Sequence, residues 1–229
     1  MKKNVQFGFM AILVFAVSVV VSCGNPPQNP KTDEEENGGS DSISVGETFE
    51  PPVSGINIGD KFVPAGYMGC DRDIVINPAS TVNPHSGETC YEIKYTTSCN
   101  KNWAGVYWTN KADDSGANWG QYAGSNFSNV GYTKITFWAR GARGKEAVEF
   151  GSGGIDATNR SDIFRYKDSY DKTYSTKGKM VILSDKWQQY TIDLTGKDLS
   201  SVIGGFFWAV SWNANSTGLV FYLDDIWLE

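Results

Sequence analysis

Histidine is nearly missing from this chain: one residue, His85, in 229. A histidine-based catalytic triad or a multi-histidine metal site has no material to work with. Basic charge is also short. Twenty Lys and Arg stand against 26 Asp and Glu, a formal charge of −6 and a pI of about 4.9. Phosphate backbones need a positive field, so nucleic acid is excluded as a partner. Nucleophile elbows, dinucleotide glycine motifs and P-loops are absent. Gly151-Ser152-Gly153-Gly154 has neither the Lys nor the following helix that a phosphate loop requires. After Ile56 no stretch of useful length carries the 3.6-residue period of a helix, and no internal repeat or second domain shows. The four cysteines lack the paired spacing of a zinc site.

Aromatic residues and glycine are plentiful: eight Trp, eleven Tyr, twelve Phe and 25 Gly. Their densest run is Trp103 to Tyr122, with Trp103, Tyr107, Trp108, Trp119 and Tyr122. In a strand, Trp103, Gly105 and Tyr107 share one face and Ala104, Val106 and Trp108 the other. One of these faces serves a core. The second still carries Trp and Tyr beside a polar loop. Flat rings next to polar groups suit a ligand with an apolar face and hydroxyl edges, which is the chemistry of a sugar, although aromatics fill cores as readily.

The chain opens with Lys2 and Lys3 and an apolar run, Phe7 to Val21, of signal-peptide length and short for a membrane span. The run ends Val20-Val21-Ser22-Cys23-Gly24, which resembles the bacterial lipoprotein signal. That resemblance implies a signal peptide over 1–22, cleavage, and acylation of Cys23, which would hold the protein at a bacterial membrane, outer membrane or cell surface, by acyl chains alone. Residues 23–55 hold Pro26, Pro27, Pro30, the acidic run Asp33-Glu34-Glu35-Glu36 and Asn37-Gly38-Gly39-Ser40. Such a composition reads as an extended tether.

Residues 56–229 alternate between apolar and polar in short segments: Thr89–Thr96, Trp103–Thr109, Thr133–Arg140, Glu146–Phe150, Lys179–Leu183, Gln188–Leu194, Gly205–Trp212 and Leu219–Leu228. Gly, Asn, Asp and Ser separate them. About eight strands in this length argue an all-β, two-sheet antiparallel sandwich. Ile135, Phe137 and Ala139 are expected inward, with Thr136, Trp138 and Arg140 outward; Tyr190, Ile192 and Leu194 inward; and Trp187, Trp208 and Trp227 in the core.

Four segments carry a resemblance. His85-Ser86-Gly87 leading into Cys90-Tyr91-Glu92-Ile93-Lys94-Tyr95, Ile135-Thr136-Phe137-Trp138-Ala139-Arg140-Gly141, Trp187 to Leu194, and Phe221-Tyr222-Leu223-Asp224-Asp225-Ile226 together resemble the galactose-binding-like jelly rolls of bacterial carbohydrate-binding modules. Val63 to Gly69, Trp103 to Trp108, Asn118-Trp119-Gly120 and Gly153-Gly154-Ile155 resemble a group of uncharacterised exported proteins. The family implies a non-catalytic module binding polysaccharide by stacking and hydrogen bonds. Trp103, Tyr107, Trp119 and Tyr122 are the expected platforms, and Trp212 a rim residue. Trp138, Arg140 and Glu149 are placed on one face of adjacent strands, where Arg140 and Glu149 reach hydroxyls or pair with each other. The resemblance also implies a structural calcium at Asp224, with Asp60, Asp71 and Asp73 as candidate partners; a solvated strand end is the plainer reading.

With Cys23 lipidated, Cys70, Cys90 and Cys99 remain, an odd number for an oxidising compartment. Cys90 and Cys99 at the ends of one strand would lie roughly 30 Å apart and could not pair. Cys70 bridges one of them, with Cys90 favoured. Two rival functions stay open. An adhesive or structural surface lipoprotein would expose its aromatics as a flat patch. A glycoside hydrolase would need two carboxylates facing across a cleft, for instance Glu149 and Asp193.

Overall fold

The structure, a computed structural model, describes residues 54–110 and 116–229. The signal segment, Cys23 and nearly all of the tether lie outside the described residues. Residues 54–229 form two antiparallel sheets facing one another. The strands in chain order are β1 (Ile56–Asn57), β2 (Phe62–Gly69), β3 (Ile74–Ser80), β4 (Cys90–Tyr95), β5 (Trp103–Asn110), β6 (Lys134–Gly141), β7 (Ala147–Ser152), β8 (Thr173–Tyr174), β9 (Met180–Ile182), β10 (Gln188–Asp193), β11 (Gly204–Ser211) and β12 (Leu219–Leu228). The first sheet runs β10-β6-β12-β4-β3, with β1 beside the end of β12; the second runs β2-β5-β11-β7-β8, with β9 beside β7. A four-residue helical turn (Ile58–Lys61), capped by the Asn57 side chain, joins β1 to β2.

The eight segments legible by alternation are all strands. β2 and β3 are not legible that way, because Pro64 and Pro78 sit inside them. Proline cannot donate to a ladder and is confined to edges and bulges. Both strands are edges, and each changes register beside its proline, between Pro64 and Gly66 and between Asn77 and Ser80.

Alternation then builds the core. Ala104, Val106 and Trp108 of β5, Phe206 and Trp208 of β11, and Ile135, Phe137 and Ala139 of β6 meet between the sheets and are buried. Phe137 packs on Phe150 and Phe206, and Trp208 stands edge-on to Phe221. Each such ring contributes about 2–3 kcal/mol by leaving water. Ile192 and Leu194 are buried as expected, whereas Trp187 and Trp227 are only part-buried and lie outside the core. Trp187 instead donates its Nε1–H to the Asn83 carbonyl at 2.9 Å.

The disulfide corrects an expectation. Cys70 is bonded to Cys99, and Cys90 is a buried free thiol. Register decides this. β3 starts at Ile74 opposite Tyr95, so Cys70 lies at the end of β4 from which the chain leaves, while Cys90 lies at the far end opposite Ser80. Buried Asp73 folds the segment after β4 back on itself. Its carboxylate accepts Thr96 Oγ1 and the Cys99 N–H, both at 3.0 Å, and the Ser98 hydroxyl. Burial pushes that carboxyl up, but the hydrogen bonds outweigh it and hold it below its ordinary value.

Candidate functional site

The outward face of the second sheet can be read row by row from the register. Met68, Gly105, Ala209 and Glu149 form one row. Gly66, Tyr107, Phe207 and Gly151 form the next. Trp103 and Ser211 end the face on the other side of the Gly105 row. This face carries its own small apolar cluster of Tyr107, Ile155, Ile203 and Phe207, packed against Met68, Trp119 and Tyr174.

Over it lies a groove of about 540 Å³. Tyr67, Met68 and Gly69 of β2, Trp103 and Tyr107 of β5, Trp119, and the segment from Gly154 to Lys172 form its walls. Trp103 is 42% exposed and available to a ligand; Tyr107 is 2% exposed and serves as floor. The Tyr107 hydroxyl donates to the Gly153 carbonyl at 2.9 Å, and burial pushes its ionisation well above the usual range.

Two polar residues hold the walls. Buried Asn118 accepts the Gly120 N–H at 2.9 Å and the Tyr122 N–H at 3.2 Å on Oδ1, and donates from Nδ2 to Asn110 Oδ1 and the Tyr122 carbonyl. These bonds fix the turn that presents Trp119. Gly66 makes room for that indole, since a Cβ there would stand 2.8 Å from Tyr107 Cβ and 3.2 Å from Trp119. The opposite wall is pinned by buried Asp168. Its carboxylate accepts the N–H groups of Ile155 at 2.7 Å, Ile203 at 2.5 Å and Gly204 at 3.1 Å. Burial pushes the Asp168 carboxyl up, and the three N–H groups pull part of the way back. The walls are tied to each other where Arg165 and Tyr166 donate their N–H groups to the Gly120 carbonyl.

The structure sorts the residues singled out in the sequence into separate places. Trp103, Tyr107 and Trp119 come together in the groove. Tyr122 and Trp212 are both exposed nearby but do not line it; Trp212 follows β11, its N–H bonded to the Asn102 carbonyl. Glu149 shares the groove's face of the sheet. Arg140 does not, because β6 belongs to the first sheet. The expected Arg140–Glu149 neighbourhood is therefore corrected, and so is a Glu149–Asp193 pair, since Asp193 is on β10 of the first sheet.

Trp138, Arg140, Tyr222 and Asp224 share the outward face of the first sheet, under the 82–86 turn. His85 stacks on Trp138 at 3.8 Å, which covers that indole. Arg140 is buried, lies 3.8 Å over the Tyr222 ring, and donates from Nη2 to the Val82 carbonyl at 2.6 Å. Asp224 Oδ2 accepts the His85 N–H at 2.9 Å and the Ser86 N–H at 3.3 Å, and its Oδ1 accepts the Asp225 N–H at 2.9 Å. Asp225 in turn accepts His85 Nδ1 at 2.7 Å and the Ser86 hydroxyl at 2.8 Å. Calcium requires a cage of free oxygens. Asp224 is engaged by three N–H donors, and Asp73 serves the Thr96–Cys99 segment, so these residues do not fit that ion. Burial and the Asp225 charge push the Asp224 carboxyl up, which the N–H groups only partly offset.

Tyr67 and Ile155 line the groove from segments quoted above for a resemblance and not as site residues; Arg160, Phe164 and Lys172 line it too, and no sequence signal singles them out. Their segments hold no alternating run. The Gly153-Gly154-Ile155 motif marks where the wall begins, but residues 156–172 carry no pattern that would name the side chains in it.

Neither a family model nor a curated protein matches the chain. Solved structures do. The crystal structure of a family 30 carbohydrate-binding module is similar with a TM-score of 0.50 and 16% identity, over 76% of this chain and 98% of that one. The domain shares the jelly-roll fold of that module. A family 30 module of a cellulosomal cellulase from Clostridium thermocellum has a TM-score of 0.49 at 16% identity, over 73% of this chain and 92% of that one. A family 11 module of a cellulosomal cellulase from the same organism has a TM-score of 0.46 at 10% identity, over 76% and 91%. At 16% identity the likeness to the first of these shows the fold alone.

Proposed function

We propose that this protein is a non-catalytic, membrane-anchored surface lipoprotein whose jelly roll binds a polysaccharide chain in the groove of the second sheet. The observation that carries the reading is the union of Trp103, Tyr107 and Trp119 around one polar-edged groove of about 540 Å³. Trp103 and Trp119 supply faces for sugar rings, and Arg160 and Lys172 supply hydrogen bonds to hydroxyls. The aromatics form a groove instead of the flat patch that an adhesive protein surface would use. Among the described residues lining it, the acid is Asp156. Glycoside hydrolysis uses two carboxylates, which favours binding over turnover. The lipoprotein part rests on Val20 to Gly24 and Cys23, with the acidic tether as spacer.

The test is retention of the chain from residue 24 onward on a glycan array and on insoluble polysaccharides. Retention that is lost in Trp103→Ala and Trp119→Ala supports the reading. A folded protein that no glycan retains, or retention indifferent to both changes, sinks it. Palmitate labelling of the full chain in a bacterial host, lost in Cys23→Ala, tests the anchor.

A further inference from the structure

The charges around the groove are one-sided in a protein that is otherwise acidic. Arg160 and Lys172 line it, with Asp156 as the lone carboxylate among its described lining. Asp156 is spent locally. It accepts the Thr158 N–H at 3.1 Å and the Thr158 hydroxyl at 2.6 Å, and Lys167 stands 3.7 Å away. Neither Arg160 nor Lys172 is in an ion pair among the described residues. A neighbouring hollow repeats the pattern. It has a volume of about 610 Å³, shares Gly69 with the groove and is lined by Arg72, Lys101 and Asp71. There Asp71 accepts the Arg72 N–H at 3.0 Å, and Lys101 Nζ reaches only the Gly69 carbonyl at 3.1 Å. Two cations thus line each of two neighbouring hollows, and the carboxylate in each is already bonded to its own backbone neighbours.

Lys172 stands over the floor of the groove. Its ammonium lies 5.1 Å from the Phe207 ring centroid and 5.7 Å from that of Tyr107, over the aromatic floor. The apolar rings beside it strip water from the ammonium and push its ionisation down, and the charge of Glu149 restores only part. A cation held over rings and short of a counter-ion is a ready partner for an anionic group.

On the reading proposed above, we infer that the polysaccharide taken by this groove is an acidic glycan, with carboxylate or sulfate groups meeting Arg160 and Lys172 while its sugar faces meet Trp103 and Trp119. Residues 56–229 hold 19 Asp and Glu against 17 Lys and Arg, so the rest of the domain surface has no positive excess to hold polyanions by charge alone.

The experiment is titration of the chain from residue 24 onward with polygalacturonate, dextran sulfate, a neutral β-glucan and a single-stranded oligonucleotide, at low and high salt. The uronate and sulfate arms separate the two sources of charge. The expected result is that one anionic glycan binds at least about tenfold tighter than the neutral one, the scale of one charge-assisted contact. That preference falls with salt and is lost in R160Q and K172Q, while Trp119→Ala weakens binding to every glycan. Arg160 and Lys172 are exposed, so both variants keep the fold, and a thermal melt confirms it. Equal or tighter binding of the neutral glucan, unmoved by R160Q and K172Q, overturns the inference and leaves the glycan reading standing. Equal binding of all polyanions, oligonucleotide included and indifferent to Trp119→Ala, overturns it as bare charge attraction. No glycan binding at all ends both.

Discussion

The indole of Trp119 stands edge-on to the Tyr107 ring, with centroids 6.0 Å apart and planes at 79°. The two residues sit on different kinds of structure. Tyr107 belongs to a central strand and is fixed by pairing on both sides. Trp119 belongs to a loop held by Asn118. The contact therefore joins a rigid floor to an adjustable wall, and Asn118→Ala separates the two roles. It removes four side-chain hydrogen bonds around a buried residue. Glycan binding falls by an order of magnitude or more, and unfolding titrations lose about 2 kcal/mol. Binding unchanged from wild type would mean that Trp119 needs no positioning.

Trp103→Ala separates binding from stability in the other direction. The side chain is 42% exposed on the outward face and contributes nothing to the inter-sheet core. Denaturant unfolding is expected to shift by less than about 1 kcal/mol, while retention on polysaccharide is abolished. A large loss of stability would show that Trp103 is packing and not a platform.

Asp168 gives the domain a pH dependence of defined sign. Its folded carboxyl titrates above the ordinary 3.8 because burial disfavours the charge. The folded state then holds a proton that the unfolded state has lost, so stability falls as pH rises from about 3.8 through the raised value. Asp168→Asn removes this slope. It also removes an acceptor for one of three N–H groups, a loss of about 1–3 kcal/mol at neutral pH. Chemical denaturation at a series of pH values reads both effects; a slope equal to wild type would place the titration elsewhere.

The Cys70–Cys99 bridge closes a separation of 29 residues. Removing both cysteines is expected to destabilise by about 3–4 kcal/mol through the freed unfolded chain. In the chain from residue 24 onward, Cys90 is the remaining thiol. Burial first, and the Asp224 charge next, push it up to about 11, against a smaller opposite effect of Arg140. Alkylation at pH 8 without denaturant leaves it unmodified, and denaturant exposes one reactive thiol per chain. Rapid labelling of the native protein contradicts this.

Arg140 predicts a stability effect without a binding effect. Arg140→Ala releases the 82–86 turn by deleting the bond to the Val82 carbonyl and the contact with Tyr222. A loss of about 2 kcal/mol and faster proteolysis within residues 81–87 are expected, with glycan affinity unchanged. Because Asp224 faces N–H donors, calcium and chelator leave the melting temperature unchanged in wild type. A loss of glycan binding in Arg140→Ala would link the two outward faces.

Alternation in the sequence by itself determined the sandwich. Period-two runs such as Ile135 to Arg140 assign a strand and its inward face locally, because successive side chains must point to opposite sides. The same logic placed Trp103 and Tyr107 together, and Asn118-Trp119-Gly120 marked the loop beside them. It could not say which strands share a sheet. Arg140 and Glu149 lie on consecutive strands, β6 and β7, yet on different sheets, since pairing follows register and not order along the chain. Nor could it choose between Cys90 and Cys99, because the choice depends on Ile74 lying opposite Tyr95. Arg160 and Lys172 reach the groove on a segment without period, which buried Asp168 pins by hydrogen bonds to residues 13 to 36 positions away. Local pattern fixes faces; only the closed fold decides which faces meet.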